Sequence, residues 1–585
     1  MAFLQIENLS FSYPDAAGQA LDNVSLEIEE GEMVVLCGVS GCGKSTLLRH
    51  LKREVAPHGR KRGVIYYAGN LLENLPPRTS AAEIGFVMQN PETQIVTDLV
   101  WHELAFGLEN LGLSNPEIRR KVAEMASFFG IDAWFRKPVA ELSGGQKQIL
   151  NLAAVMAMQP RVLLLDEPTA QLDPIAAQEL IGIITKINRD LAVTVILAEH
   201  RLEEAFPRAD QVVVMDKGRV IWAGEPAKID LMLEQEAGHA ISKGLPSPIR
   251  IYSGIQRGNC PLTVREGRSW LNELLASAGR DLAGEPVRGL NREGAKQQKL
   301  SKLKANQDKA AVPGRPAAVE LKQVWFKYER EGQDILRGVS LQAYPGQVLG
   351  ILGGNGTGKT TMLGVMAGLL KPYRGQVAIA GRKITEFKSG ELYRNNLVLL
   401  PQNPKALFVH DTVREELEEA VNLQKPGQEA AAREIENITA ELDIRDLLSR
   451  HPYDLSGGEQ QKAALAKLLL LKPKVVLLDE PTKGLDASSK EGLAKILSDL
   501  RRKGVTVVLV THDLEFAAEY ADACAMMFDG DIVSSGTAGE FFAGNSFYTT
   551  AANRMARGLF PQAVTCKDVI ELCRINLPAP VQRQA

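Results

Sequence analysis

Uninterrupted apolar runs recur along the chain and set its pattern. "MVVLC" (33–37), "VLLL" (162–165) and "VTVILA" (193–198) stand between longer stretches with helical spacing of apolar positions. "QVLGIL" (347–352), "KVVLLD" (474–479) and "VTVVLV" (505–510) repeat the same succession. Short runs without a polar face predict strands of a parallel sheet covered by helices on both sides. The alternating stretches "FLQIENLSFSYP" and "VELKQVWFKYE" predict one-sided β pieces ahead of each set. "QVVVMDKGRVIWAG" and "CAMMFDGDIVSSG" predict a hairpin closing each set.

The recurrence is a duplication. Tyr13 and Tyr328 are 315 positions apart, as are Lys44 and Lys359. Gln89 and Gln402, Ser143 and Ser456, and Asp166 and Asp479 are each 313 apart, and His200 and His512 are 312 apart. Spacing that holds within three residues across six landmarks identifies two copies of one domain. The expected organisation is a first copy over 1–235, a linker over 236–317, a second copy over 318–545 and a tail over 546–585. Within the linker, "LTVREGRSWLNELLASAG" predicts a short helix, and the basic, Gly/Pro-punctuated stretch after it reads as a flexible tether. The tail, of mixed apolar and basic residues, predicts no definite element.

The polar residues that interrupt this pattern carry chemistry. Gly38, Gly43, Lys44 and Ser45, and again Gly353, Gly358, Lys359 and Thr360, match G-x-x-x-x-G-K-[ST] between a strand and a helix. Glycines let backbone N–H groups turn inward on phosphate oxygens, the lysine reaches the outer phosphates, and the hydroxyl suits Mg²⁺. The other loop residues, Ser40, Gly41, Cys42 and Thr46 and Asn355, Gly356, Thr357 and Thr361, are expected to line the same cradle. Strands ending in Asp166-Glu167 and Asp479-Glu480 offer one carboxylate for Mg²⁺ and one as general base for water. "LSGG" at 142–145 and 455–458 presents Ser143, Gly144, Gly145 and Ser456, Gly457, Gly458 at a helix start, 23 residues before the acidic strand end in both copies.

Together these motifs resemble the signature set of ATP-binding cassette (ABC) ATPases, over about four fifths of the chain. The resemblance implies an α/β fold of tandem P-loop NTPase cassettes, each with a mostly parallel sheet core, an antiparallel β subdomain and a helical signature subdomain. It implies ATP and Mg²⁺, with Tyr13 and Tyr328 stacking on adenine. It also implies Gln89 and Gln402 as Q-loop glutamines on Mg²⁺ and water, Asp173 and Asp486 in D-loops, and His200 and His512 as switch histidines. In that family one ATP is gripped by one cassette's phosphate loop and the other's signature, so Lys44 would pair with Ser456, and Lys359 with Ser143. Two departures, "QLD" for "GLD" at 171–173 and "EHR" for "THD" at 199–201, put the equivalence of the sites in question.

Composition narrows the type. Of 585 residues, 45% are hydrophobic and 24% charged, with net charge −3, so no nucleic-acid partner is expected. Six cysteines without a C-x-x-C pair suit a reduced, cytosolic protein. The N-terminus lacks a signal-peptide pattern, and no run of about 18 apolar residues occurs, so a membrane role would run through partners. "QNPETQIVTDLVWHELAFGLENLG", "PTAQLDP", "AEHRLEEA" and "LPQNPKALFVHDTVREEL" resemble the energy-coupling factor (ECF) ATPases of vitamin and metal-ion importers. That resemblance implies a transmembrane T-component, a substrate-binding S-component and a peripheral place on the cytoplasmic membrane face. Glu92, Asp98, Glu103, Asp411, Glu415 and Glu416 are candidates to meet a basic partner helix. Rival readings are another ABC importer's ATPase and a twin-cassette translation factor. Gly289, Gly294, Pro313, Gly314 and Pro316 argue against the helical linker of the latter.

Overall fold

The computed structural model describes residues 2–14, 18–235, 240–277, 316–388, 390–424 and 427–577. The chain forms two compact units: Met1–Ser253 with Asn259–Thr263, and Gly254–Gly258 with Val264–Ala585.

Each unit holds a six-stranded sheet of the same order. In the first it runs Arg219–Gly224, Gln211–Asp216, Met33–Gly38, Thr194–Ala198, Val162–Asp166, Ile84–Val87. In the second it runs Asp531–Thr537, Ala523–Phe528, Val348–Leu352, Thr506–Val510, Val475–Asp479, Leu397–Leu400. All pairings are parallel except the terminal hairpins. Every residue of Met33–Gly38, Val162–Asp166 and Thr194–Ala198 is buried, which is why these strands read as unbroken apolar runs. A four-stranded antiparallel sheet accompanies each core and buries alternate residues such as Leu4, Ile6 and Leu9. The predicted fold class is what the structure has, including both closing hairpins.

A helical layer, Val100–Asn110, Asn115–Phe128 and Gly144–Ala157, lies between the sheet's Ile84–Val87 and Val162–Asp166 strands in sequence. Its counterparts are Val413–Asn422, Gln428–Glu441 and Gly457–Leu469. No helix of the described residues is long and apolar enough to cross a membrane.

The interval read as a linker is structured over 240–277. Ile241, Leu245 and Ile249 are buried in the first unit's core, contributed in turn by the short helical turn Ala240–Lys243, the bend after it and the helix Ser247–Ile255. The helix Val264–Ser277 instead belongs to the second unit, where it meets Ala551–Ala556. Trp270, Leu271 and Leu275 are buried there, Gly267 lets Met555 approach, and Arg268 Nη2 donates to the Arg554 carbonyl at 2.6 Å. The tail likewise folds, into Ala551–Ala556 and Cys566–Asn576. The basic stretch 278–315 lies outside the described residues. The helix before it and the strand after it share one unit, so the second unit's fold begins well before its first strand. A chain of residues 264–585 is therefore expected to melt about 5–10 °C above one of residues 316–585, because three apolar side chains at about 1.5–3 kcal/mol each lose their burial, less the entropy of docking. Equal melting temperatures would show that the helix adds nothing.

Candidate functional site

The strand before the phosphate loop ends at its first glycine, Gly38, in the first unit and one residue before it, at Leu352, in the second, and in both the loop's last glycine caps the following helix. Gly43 and Gly358 occupy left-handed backbone (φ 105° and 100°) at the N-caps of Lys44–His50 and Lys359–Met366. Both lysines are buried. Lys44 Nζ donates to the carbonyls of Gly38 (3.0 Å) and Val39 (3.3 Å). Lys359 Nζ donates to Gly353 (3.0 Å) and Gly354 (2.8 Å). Each ammonium is thus folded back onto its own loop, where a phosphate would exchange neutral carbonyls for a charged acceptor.

The acidic strand ends face these loops. Ser45 Oγ donates to Asp166 Oδ1 at 2.7 Å, and Thr360 Oγ1 to Asp479 Oδ1 at 3.3 Å. Burial pushes both aspartates' pKa upward, and the neighbouring glutamate's charge adds to it. A hydroxyl and a carboxylate converging this way are the hard oxygen donors that fit Mg²⁺.

Glu167 and Glu480 lie in left-handed backbone (φ 46° and 52°), a conformation that L residues other than glycine seldom hold. It places both carboxylates beside the switch histidines. His200 Nε2 is 2.9 Å from Glu167 Oε1, and His512 Nε2 is 2.9 Å from Glu480 Oε1. Tyr13 and Tyr328 hydroxyls sit 3.2 and 3.1 Å from Thr46 and Thr361 Oγ1. Both rings are braced edge-on by Phe11 and Phe326. Tyr328 is 64% exposed, leaving a ring face free for a stacked base.

The glutamines differ. Gln89 Nε2 donates to Glu167 Oε2 at 2.8 Å, whereas Gln402 is exposed and makes no such bond to Glu480. The two Q-loops also differ at a residue that the motif reading passed over. Gln94 accepts from Met88 N (2.8 Å) and donates to Phe86 O (3.0 Å), which braces the first Q-loop. Its counterpart is Leu407, which has no polar group, and Pro401 has no N–H to offer.

Ser143 and Ser456 cap the helices Gly144–Ala157 and Gly457–Leu469, each in a reciprocal capping box with the residue three on, Gln146 and Glu459. A Cβ on Gly144 or Gly457 would meet nothing within 4 Å, while Gly145 and Gly458 face Leu172 and Ser489. Asp173 and Asp486 cap the helices Pro174–Leu191 and Ala487–Arg502, accepting from Ala176 N (2.9 Å) and Ser489 N (2.8 Å).

Two candidate partner-binding carboxylates are corrected by the structure. Glu103 and Glu416 are buried and committed internally. Glu103 accepts from Val96 N and Thr97 N, and Glu416 from Val409 N and His410 N and from Lys467. Glu92 pairs with Lys147 at 2.8 Å, which holds its pKa down, and Glu415 closes a capping box with Thr412. Asp98 and Asp411 are exposed, as are Val96 (66%) and Val409 (72%).

The departure noted at 199–201 brings two further charged side chains to the first unit's cluster. Glu199 is buried, and its carboxylate accepts from Thr169 and from the backbone after it. Burial raises its pKa and the Glu167 charge adds to the rise, while the donors of Thr169 and Arg201 oppose it. Arg201 Nη1 donates to Leu172 O at 2.8 Å.

Residues 21–170 and 336–483 match the family described as ABC transporter. Relatives provisionally named ABC transporter ATP-binding proteins match almost end to end. One from Bacillus cereus is 41% identical over 98% of both chains. One from Streptomyces coelicolor is 34% identical over 96% of this chain and 98% of its own, and one from Methanosarcina mazei 33% over 92% and 90%. Among solved structures, cbiO1 of Clostridium perfringens, described as part of the ABC transporter complex cbiONQ, is 32% identical over 40% of this chain and 92% of its own, with TM-score 0.37.

Proposed function

On the premise that this chain belongs to the ATP-binding proteins of the ABC transporter family, as two family matches and near full-length relatives show, we propose that its ATPase powers import of a micronutrient, a vitamin or transition-metal ion, through separate ECF-type membrane subunits. The observation that carries the catalytic part is the pair of clusters Lys44, Ser45, Asp166, Glu167, His200 and Lys359, Thr360, Asp479, Glu480, His512, each drawn together around one phosphate loop.

In this reading Lys44 and Lys359 turn from the loop carbonyls to the outer phosphates of ATP. Glu167 or Glu480 accepts a proton from water, whose oxygen attacks the γ-phosphorus as the bond to the ADP oxygen breaks. His200 or His512 holds that carboxylate in place. Mg²⁺, held by Ser45 and Asp166 or by Thr360 and Asp479, would neutralise charge on the phosphates. Gln89 and Gln402 take the Q-loop role. Two ATPs per chain follow from two loops and two signatures, each nucleotide shared in the family's manner.

The import part is supported by the motif resemblance beyond the Q-loops and by exposed Val96, Asp98, Val409 and Asp411 beside them. A transmembrane T-component would dock there and an S-component would choose the substrate, placing the protein peripherally on the cytoplasmic membrane face. Co-expressed with its T- and S-components, the protein is expected to pellet with membranes and co-purify with both in detergent. Expressed alone, it is expected to stay in the supernatant. Salt-sensitive sedimentation with ribosomes instead would overturn the import reading in favour of a translation factor.

A further inference from the structure

The two catalytic clusters share backbone geometry, and the difference between them that matters most here is at 199 against 511. Glu199 N donates to Leu36 O and Thr511 N to Ile351 O, both at 3.1 Å, so the chain follows the same course in both units. The side chains then part. Thr511 Oγ1 meets Thr482 Oγ1 at 2.9 Å and accepts from Asp513 N at 3.0 Å. Glu199 Oε1 accepts from Thr169 N (3.0 Å) and Thr169 Oγ1 (2.6 Å), and its Oε2 from His200 N (3.0 Å) and Arg201 N (3.3 Å).

The switch histidine's backbone amide therefore has different partners. In the second unit it donates to Glu480 Oε2 at 3.2 Å, and Gln402 does not reach that carboxylate. In the first unit Glu199 takes the amide, and Glu167 Oε2 accepts from Gln89 instead. We propose that Glu199 is a positioning residue of the first ATPase cluster: by occupying the His200 amide and tying it to Thr169, it presents the Glu167 carboxylate to Gln89, a preset Q-loop contact that the second cluster lacks. Arg201 extends the same tie to the D-loop through Leu172 O. Glu199 itself touches no substrate. The two clusters are consequently inequivalent in catalysis as well as in sequence.

This inference rests on Glu167 acting as base, so the test separates the two. Single-turnover hydrolysis is measured with enzyme in excess over ATP, in the otherwise unsubstituted chain and in Glu480→Gln. Glu199→Thr is expected to lower the maximal rate about tenfold in Glu480→Gln, and less in the unsubstituted chain. The enzyme concentration at half-maximum should move less than twofold. Gln89→Ala should cost a similar factor, and Glu199→Thr combined with Gln89→Ala should match the worse single variant, because both act through one contact. Glu199→Gln preserves volume and one acceptor oxygen, and should lose about three- to fivefold; it reads the same cycle should the threonine variant not fold. A rate within twofold of the parent, or losses that multiply, would overturn the proposal alone. Glu167→Gln combined with Glu480→Gln is the control: turnover by that chain would remove Glu167 as base, and the role of Glu199 with it.

Discussion

The chain carrying both Glu167→Gln and Glu480→Gln is expected to hydrolyse ATP about 10²–10⁴-fold more slowly than the parent, the usual cost of removing a general base, while still binding two ATP. Glutamine keeps the size of glutamate and can still face His200, His512 and Gln89, so folding should be preserved. What it lacks is a site for the proton of the attacking water. The geometry makes the substitution a clean one, because each glutamate sits in strained left-handed backbone that directs its carboxylate at the histidine 2.9 Å away. Equilibrium binding of labelled ATP and a phosphate-release assay read the two halves of the expectation. Near-parental release would sink the assignment, and lost binding would point to a structural role.

Gly38→Ala and Gly353→Ala are expected to be costly for a reason outside the loops themselves. A Cβ on Gly38 would lie 2.3 Å from the Met215 carbonyl oxygen and 2.6 Å from Cys42 Sγ, and one on Gly353 would lie 2.4 Å from the Met527 carbonyl oxygen. Met215 is the cross-strand neighbour of Gly38, and neither backbone can retreat without opening the sheet. Overpacking of this kind costs about 1–3 kcal/mol, several degrees in melting temperature for a unit of this size. The loop must also shift, so ATP affinity should fall at least about tenfold, a loss of ~1.4 kcal/mol. Gly144→Ala, whose Cβ meets nothing within 4 Å, should leave stability within about 0.5 kcal/mol. Parental melting and ATP affinity for Gly38→Ala would refute the steric argument.

The amino-acid sequence by itself determined the duplication, the parallel cores and the phosphate loops. Strands such as Val162–Asp166 and Val475–Asp479 are buried on both faces, so no polar residue breaks their pattern and they can be read without knowing their neighbours. The loops, acidic strand ends and helix starts at Ser143 and Ser456 are local as well, their chemistry contained within about ten residues. The tertiary structure alone decided matters that turn on partners far along the chain. Glu103 and Glu416 read in sequence as candidates for a basic partner helix and are buried acceptors in the fold. The helix Val264–Ser277 follows the first copy in sequence but packs with Ala551–Ala556 of the second unit. Gln89 and Gln402 stand at equivalent motif positions, yet Gln89 reaches its glutamate and Gln402 does not, and the loops around them differ too, with Gln94 bracing one where Leu407 cannot brace the other. Glu199 acquires its meaning only because Thr194–Ala198 pairs with Val162–Asp166, which brings Thr169 within 2.6 Å across 30 residues. Strand order sets those meetings, and a hydrogen bond needs both partners in reach, so a motif shows which groups exist and the fold decides which of them meet.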